Sequence, residues 1–389
     1  MDNNIFLNLR KFLVPEIVYG AGSIELAGRH ALNFGASKAL VVTDSGVQAS
    51  GWTEKVEHSL VDMGIEHVTF SEVSPNPRDY EVMSGSDLFL RSNCDLIVAV
   101  GGGSPMDCAK GIGVVATNGG YITDYEGVDE ISVPVPPLIF IPTTAGSSAD
   151  VSQFAIISDT KRKGKIAIIS KMVIPDIALV DPLTTLSMPP NLTAATGMDT
   201  LCHAFEAYVS TASSPLTDMA AISAVRLVAD NLLGAYREPE NTRYRENMMM
   251  VSLMAGLAFS NASLGIVHAM AHSLGGALDL PHGECNAILL EKAVLYNYVS
   301  AADKYNELAE AMGLGIGDTG KAVNANALAD CIASLRDKLN IKQRLSNMGV
   351  VPEDFSRLAE FAFNDPCLAT NPRESTQQDI EDLFRQIYK

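Results

Sequence analysis

No stretch of this 389-residue chain approaches the roughly 20 uninterrupted apolar residues that span a bilayer, so no membrane-spanning helix is expected. Clusters of basic residues are missing as well. The 46 acidic side chains outnumber 28 basic ones, and the net charge of −18 argues against nucleic acid or anionic membrane as a partner. The N-terminal MDNNIFLNLRKFLVPE has an acid at Asp2 and no long apolar run, unlike a secretory signal. The six cysteines are scattered without paired spacing, which suits reduced thiols in a cytoplasmic protein. Hydrophobic residues at 47% and charged ones at 19% give a globular balance, and the length allows two domains. Histidine is scarce, with seven in the chain, so its placement carries information.

The first half alternates short β-rich runs with helical stretches. Ala39–Thr43, Val68–Phe70, Asp95–Val100 and Leu138–Ile141 read as buried strands, with Trp52–Met63 and Glu81–Arg91 as covering helices. This alternation predicts a largely parallel α/β sheet. Phe154–Ser158 and Lys165–Ser170, joined by the polar DTKRKG, read as a β-hairpin added to that unit. From Pro190 the chain becomes helix after helix, ending in an amphipathic segment at Asp379–Lys389. The expected organisation is an α/β dinucleotide-binding domain over 1–187 and an all-helical domain over 188–389, with the boundary near Leu186–Pro190.

Two constellations carry chemistry. The run DLIVAV leads directly into Gly101-Gly102-Gly103-Ser104 and then a helical Met106–Val115. Glycines between a strand and a helix let backbone N–H groups approach a pyrophosphate, with Asp107 and Lys110 on the first helical turns. A tight turn that binds nothing would use the same glycines. Gly20-Ala21-Gly22 lacks a third glycine and is read as a turn. Asp44 ends its strand where a carboxylate can accept from ribose hydroxyls and repel a 2′-phosphate, so NAD is favoured over NADP. Thr143, Thr144 and Gly146 follow strand LIFI at another carboxyl end. The second constellation holds four of the seven histidines. Asp199 and His203, four apart with helical spacing, share one helix face. His268 and His272 repeat that spacing, and His282 follows Pro281 at what reads as a loop position. One carboxylate and three imidazoles suit Fe²⁺ or Zn²⁺, with Asp199, His203, His268 and His282 as the expected ligands. His272 is assigned to proton relay, and Cys202, on the opposite helix face, to packing.

At these residues the chain resembles the iron-containing (group III) alcohol dehydrogenase family, from about Tyr19 to the C-terminus. The matching stretches are GGGSPMDCAK, PTTAG, ATGMDTLCHA, GIVHAMAHSLG and PHGECNA. The resemblance implies an active site in the cleft between the two domains. It carries over Asp199, His203, His268 and His282 as metal ligands, and Gly101–Ser104, Thr143, Thr144 and Asp44 as cofactor contacts. It also implies reversible hydride transfer between NAD(H) and a small alcohol or aldehyde, in a homodimer or a larger assembly. One departure stands out: members usually read TTAGTGSE, whereas this chain has TTAGSSAD over Thr143–Asp150. Ser147 and Ser148 are therefore candidate donors to a polar or anionic tail on the substrate, such as a carboxylate or sulfonate. The alternatives are a mononuclear-metal hydrolase or lyase that does not use NAD, and a non-catalytic metal-binding scaffold.

Overall fold

The computed structural model describes residues 11–315 and 321–388. Its main sheet has six parallel strands, β1 (Glu16–Tyr19), β2 (Lys38–Val42), β3 (Glu66–Phe70), β4 (Leu96–Gly101), β6 (Leu138–Pro142) and β9 (Ile177–Val180), in the order β1-β9-β6-β4-β2-β3. The four inner strands, β2, β4, β6 and β9, are buried on both faces, as their continuous apolar runs require, whereas the edge strands β1 and β3 are partly exposed. Alternate residues divide between two cores. Leu40, Val42, Ile97, Ala99, Leu138 and Phe140 face one layer, whereas Ala39, Val41, Leu96, Val98, Ile139 and Ile141 face the other. Helices α4 (Asp79–Arg91) and α5 (Gly103–Asn118) cover the first face. Helices α1 (Ala27–Asn33) and α3 (Trp52–Asp62) cover the second, with the short α2 (Ser45–Ala49) following β2.

The expected hairpin forms as β7 (Phe154–Asp159) and β8 (Gly164–Ile169), paired antiparallel. It does not join the parallel sheet. With β5 (Gly127–Val128) it makes a separate three-stranded sheet, because β6 is already flanked by β4 and β9. Strand β9 was missed in the sequence reading, since IALV gives only four residues between two aspartates.

The order in which strands are added reverses between β2 and β4: β3 continues outward from β2, while β6 and β9 extend from β4. The carboxyl ends of β2 and β4 therefore flank the switch point at which open α/β sheets bind ligands. The strand-bearing part ends at Val180, and the break falls in the 3-10 turn Pro182–Ser187. Beyond it come α6 (Pro190–Val209), α7 (Pro215–Arg237), α8 (Thr242–Ala262), α9 (Ile266–Leu278) and α10 (His282–Asn297). These are followed by α11 (Ala302–Ala311), α12 (Lys321–Lys338), α13 (Phe355–Phe363) and α14 (Gln377–Ile387). No strand lies among the described residues of this part, and its helices share one continuous apolar core. Among the described residues, no single helix is long and apolar enough to cross a membrane.

Candidate active site

A cleft of about 710 Å³ runs between the carboxyl ends of the sheet and the helices α6, α9 and α10. One end is built from peptide groups. Gly101, at φ 155°, makes a turn that a side chain would block, since a Cβ there would stand 2.7 Å from Pro105. A Cβ at Gly103 would lie 2.9 Å from Ser147, so glycine keeps the backbone open to a ligand. Helix α5 starts at Gly103 with no side chain capping it, which leaves its first N–H groups and their partial positive charge facing the cleft. Gly102, Ser104, Thr143 and Thr144 line the same end, whereas Gly101 shapes the turn without lining the cleft. Asp44 also faces in. Its Oδ1 caps α2 by accepting from Gly46 and Val47 at 2.9 Å each, which leaves Oδ2 for a ligand.

The other end is built from side chains, with Asp199, His203 and His268 buried and His282 partly exposed. Asp199 Oδ1 lies 3.6 Å from His268 Nε2, 3.7 Å from His282 Nε2 and 3.9 Å from His203 Nε2. An ion bound at about 2.0–2.2 Å by four such atoms sets them roughly 3.4 Å apart. Asp199, His268 and His282 already place their donor atoms within 4.8 Å of one another, and His203 Nε2 must close on them to complete the set. Burial lowers His203 to about 4 and His282 well below its usual value, keeping both as neutral lone-pair donors. Burial acts against Asp199 too, but the surrounding imidazoles His203, His282 and His268 hold it far below the ordinary carboxylate range. His282 is not in a loop: Pro281, at φ −62°, sets the entry angle and His282 opens α10. The helix dipole there disfavours a protonated imidazole, which again suits a metal donor.

Several supporting residues escaped the sequence reading. Glu206, one turn beyond His203 on α6, receives His268 Nδ1 at 2.6 Å and the backbone N–H of Val267 at 2.6 Å. This is the carboxylate–histidine pairing that fixes a ligand's tautomer and aims Nε2. The spacing 199, 203, 206 was a readable signal. His272 lines the cleft beside His282 and is oriented by Asp365, 2.8 Å from Nδ1. No local pattern linked residues 93 positions apart. Lys165 also lines the cleft, with no hydrogen bond or ion pair among the described residues, and burial lowers its pKa. Across the cleft mouth, Arg78 and Asn76 reach from the α/β part to Asp279, at 2.8 and 2.9 Å.

Two expectations, for Lys110 and Ser148, are corrected, and that for Asp107 is qualified. Lys110 does not reach the cleft. Its Nζ is fully buried and donates to Ser152 O, Ser152 Oγ and Phe154 O at 2.9, 3.1 and 2.7 Å, pinning the start of β7. Asp107 does line the cleft, but Oδ2 is partly engaged by Ile156 N at 3.2 Å, and burial raises its pKa to about 6. Ser148 turns away from the cleft: its Oγ donates to Ser252 O on α8 at 2.6 Å, in the space that Gly256 leaves free. Its φ of 52° is a conformation glycine adopts more easily. Asp150 is likewise buried, near Lys110, and burial raises it to about 6. Of the two serines, Ser147 alone faces the cleft.

An anion-binding strand–helix turn and a buried divalent-metal donor set, sharing one cleft, define a metal-dependent dinucleotide enzyme. Comparison with known proteins makes this specific. Residues 15–182 match the family described as iron-containing alcohol dehydrogenase, and 193–388 match its C-terminal part. The chain is 42% identical over 380 residues to 1,3-propanediol dehydrogenase of Citrobacter freundii, covering 97% of this chain and 98% of that one. A solved 1,3-propanediol oxidoreductase superposes with a TM-score of 0.94 at 41% identity, covering 98% of this chain and all of that one. The sulfoacetaldehyde reductase of Bifidobacterium kashiwanohense, solved with NAD⁺, gives 0.87 at 29% identity over 98% and 99% of the two chains. The chain belongs to the iron-containing alcohol dehydrogenase family and is an oxidoreductase of the alcohol dehydrogenase or aldehyde reductase class. That sets aside the hydrolase, lyase and scaffold alternatives.

Proposed function

We propose that this enzyme interconverts a short-chain primary alcohol and its aldehyde, with NAD(H) and Fe²⁺ as cofactors. The observation that carries the reading is the convergence of Asp199, His203, His268 and His282 at one end of a cleft whose other end is the open N-terminus of α5. When bound, iron supplies a Lewis acid for the substrate oxygen, and the nicotinamide supplies or accepts the hydride. The four side chains hold the ion, and Glu206 holds His268 in the tautomer that offers Nε2. Gly102, Gly103, Thr143 and Thr144 take the dinucleotide, and Asp44 Oδ2 accepts from a ribose hydroxyl. Phe259, stacked on His203 at 4.3 Å, and Leu264 wall the metal end and exclude water. His272, oriented through Nδ1 by Asp365, holds a proton at Nε2 and exchanges it with solvent as the substrate hydroxyl loses or gains one.

An anionic or polar substrate tail is the finer reading. With Ser148 turned away, its support is the hydroxyl of Ser147 and the side chain of Lys165, which has no ion pair among the described residues. The protein is proposed to work as a homodimer or an assembly of dimers, which light scattering would test, and in the cytoplasm, in keeping with six unpaired cysteines. NADH oxidation should be followed with short aldehydes bearing neutral, carboxylate or sulfonate tails, with Fe²⁺ or Zn²⁺ added. Turnover that survives complete metal removal, or needs no NADH, would refute the reading. A Lys165→Met variant should lose activity selectively with anionic aldehydes. An equal loss with every aldehyde, matched by weaker NADH binding, would assign that side chain to the dinucleotide.

A further inference from the structure

Asn286 lies inside the cluster of donor atoms, and the four-ligand description gives it no task. It stands one turn beyond His282 on α10, so both side chains leave the same face of the helix. The residue is fully buried. Its Nδ2 donates to Asp199 Oδ1 at 2.6 Å and lies 3.1 Å from both His268 Nε2 and His282 Nε2. The bond to Asp199 Oδ1 is the shortest of the three, and each imidazole Nε2 has a single lone pair, which a bound ion would take. The carbonyl end, Oδ1, is buried with no hydrogen-bond partner. An unpaired buried acceptor is unfavourable, and an apolar side chain of similar shape would avoid that cost. The polar group at this position therefore owes its place to its nitrogen.

Asp199 has two carboxylate oxygens, and Oδ1 is the one turned toward all three imidazoles. The bond from Asn286 falls on that same oxygen. It restricts rotation of the carboxylate and draws off part of its negative charge. We propose that Asn286 is a positioning residue of the metal centre, whose amide N–H holds Asp199 Oδ1 in the converging arrangement and tunes its strength as a donor. The role rests on the four-ligand reading and adds a fifth residue that need not touch the ion.

The test uses the full-length enzyme with Asn286→Ala, which leaves a gap, and Asn286→Leu, which fills it without a donor. Three quantities are measured: iron content of the purified protein, affinity for Co²⁺ by competition with a chelator, and the visible d–d bands of the Co²⁺ form. A positioning role predicts metal binding weaker by about 10- to 100-fold in both variants, with shifted bands. Normal affinity and unshifted bands in Asn286→Leu would reduce Asn286 to a space-filler and overturn the proposal. Should Asn286→Leu fail to fold, the bands of Asn286→Ala decide, since lost packing alone leaves the cobalt geometry unchanged. Failure of the wild-type protein to bind either ion would instead overturn the four-ligand reading itself.

Discussion

The two ends of the cleft solve different problems with different materials. At the dinucleotide end the ligand must come and go. The groups there are peptide N–H donors, the hydroxyls of Ser104, Thr143 and Thr144, and a half-buried Asp44, set at the carboxyl ends of β2, β4 and β6. At the metal end, His268 is 1% exposed and Asp199 and His203 are each 4% exposed, on α6 and α9, and only His282, opening α10, is partly exposed at 27%. A dry surrounding strengthens every charge interaction, and side chains on packed helices cannot drift. Reversible binding is thus assigned to backbone at an open rim, and charge stabilisation to side chains in a closed core.

If that division holds, the largest effects come from the closed end. Asp199→Ala or His268→Ala should lose iron and lower kcat/KM by about 10³-fold, several kcal/mol of transition-state stabilisation. NADH binding, read by fluorescence titration, should stay within a few-fold of wild type, and its collapse would show that the two ends are not separable. Next, His272→Asn should lower kcat by about 10²-fold with iron content and NADH affinity intact. The open end should respond more mildly. Asp44→Ser keeps an oxygen to cap α2 but loses the carboxylate, so the ratio of NAD to NADP use should fall by about tenfold, the worth of one charge-assisted hydrogen bond. Its melting temperature should match wild type, whereas Asp44→Ala, without a cap, should melt lower by the equivalent of about 1 kcal/mol. The smallest catalytic effect is expected at Lys110. Lys110→Met should destabilise by about 1–3 kcal/mol through acceptors left unpaired, yet shift NADH affinity less than twofold. A large affinity loss there would return Lys110 to the binding site.

The same contrast explains what was legible in the sequence. Buried parallel strands announce themselves as apolar runs, and β2, β4 and β6 were read to within a residue or two. Paired ligands four apart on a helix are a local pattern, so Asp199 with His203 and His268 with His272 stood out. Backbone sites are harder, because a glycine run marks where the chain turns and not what it binds. Lys110 was misassigned because a lysine two turns into α5 looks the same whether it points at a phosphate or at the carbonyls of Ser152 and Phe154. Ser148 was misassigned because its direction is set by Ser252 and Gly256, more than 100 positions away. Asp365 was invisible for the same reason, and Asn286, although one turn from His282, has its shortest bond to Asp199 on another helix.

The link from Arg78 and Asn76 to Asp279 has a consequence for how fast cofactor exchanges. It joins a loop that lines the dinucleotide end to a residue three positions ahead of His282. Any widening of the mouth at this point must part Arg78 from Asp279, and the Asp279 side chain is 60% exposed. Charges that accessible are screened over about 8 Å at physiological ionic strength. An exposed pair of this kind contributes about 1 kcal/mol or less and weakens further in salt, so it fastens the mouth only lightly.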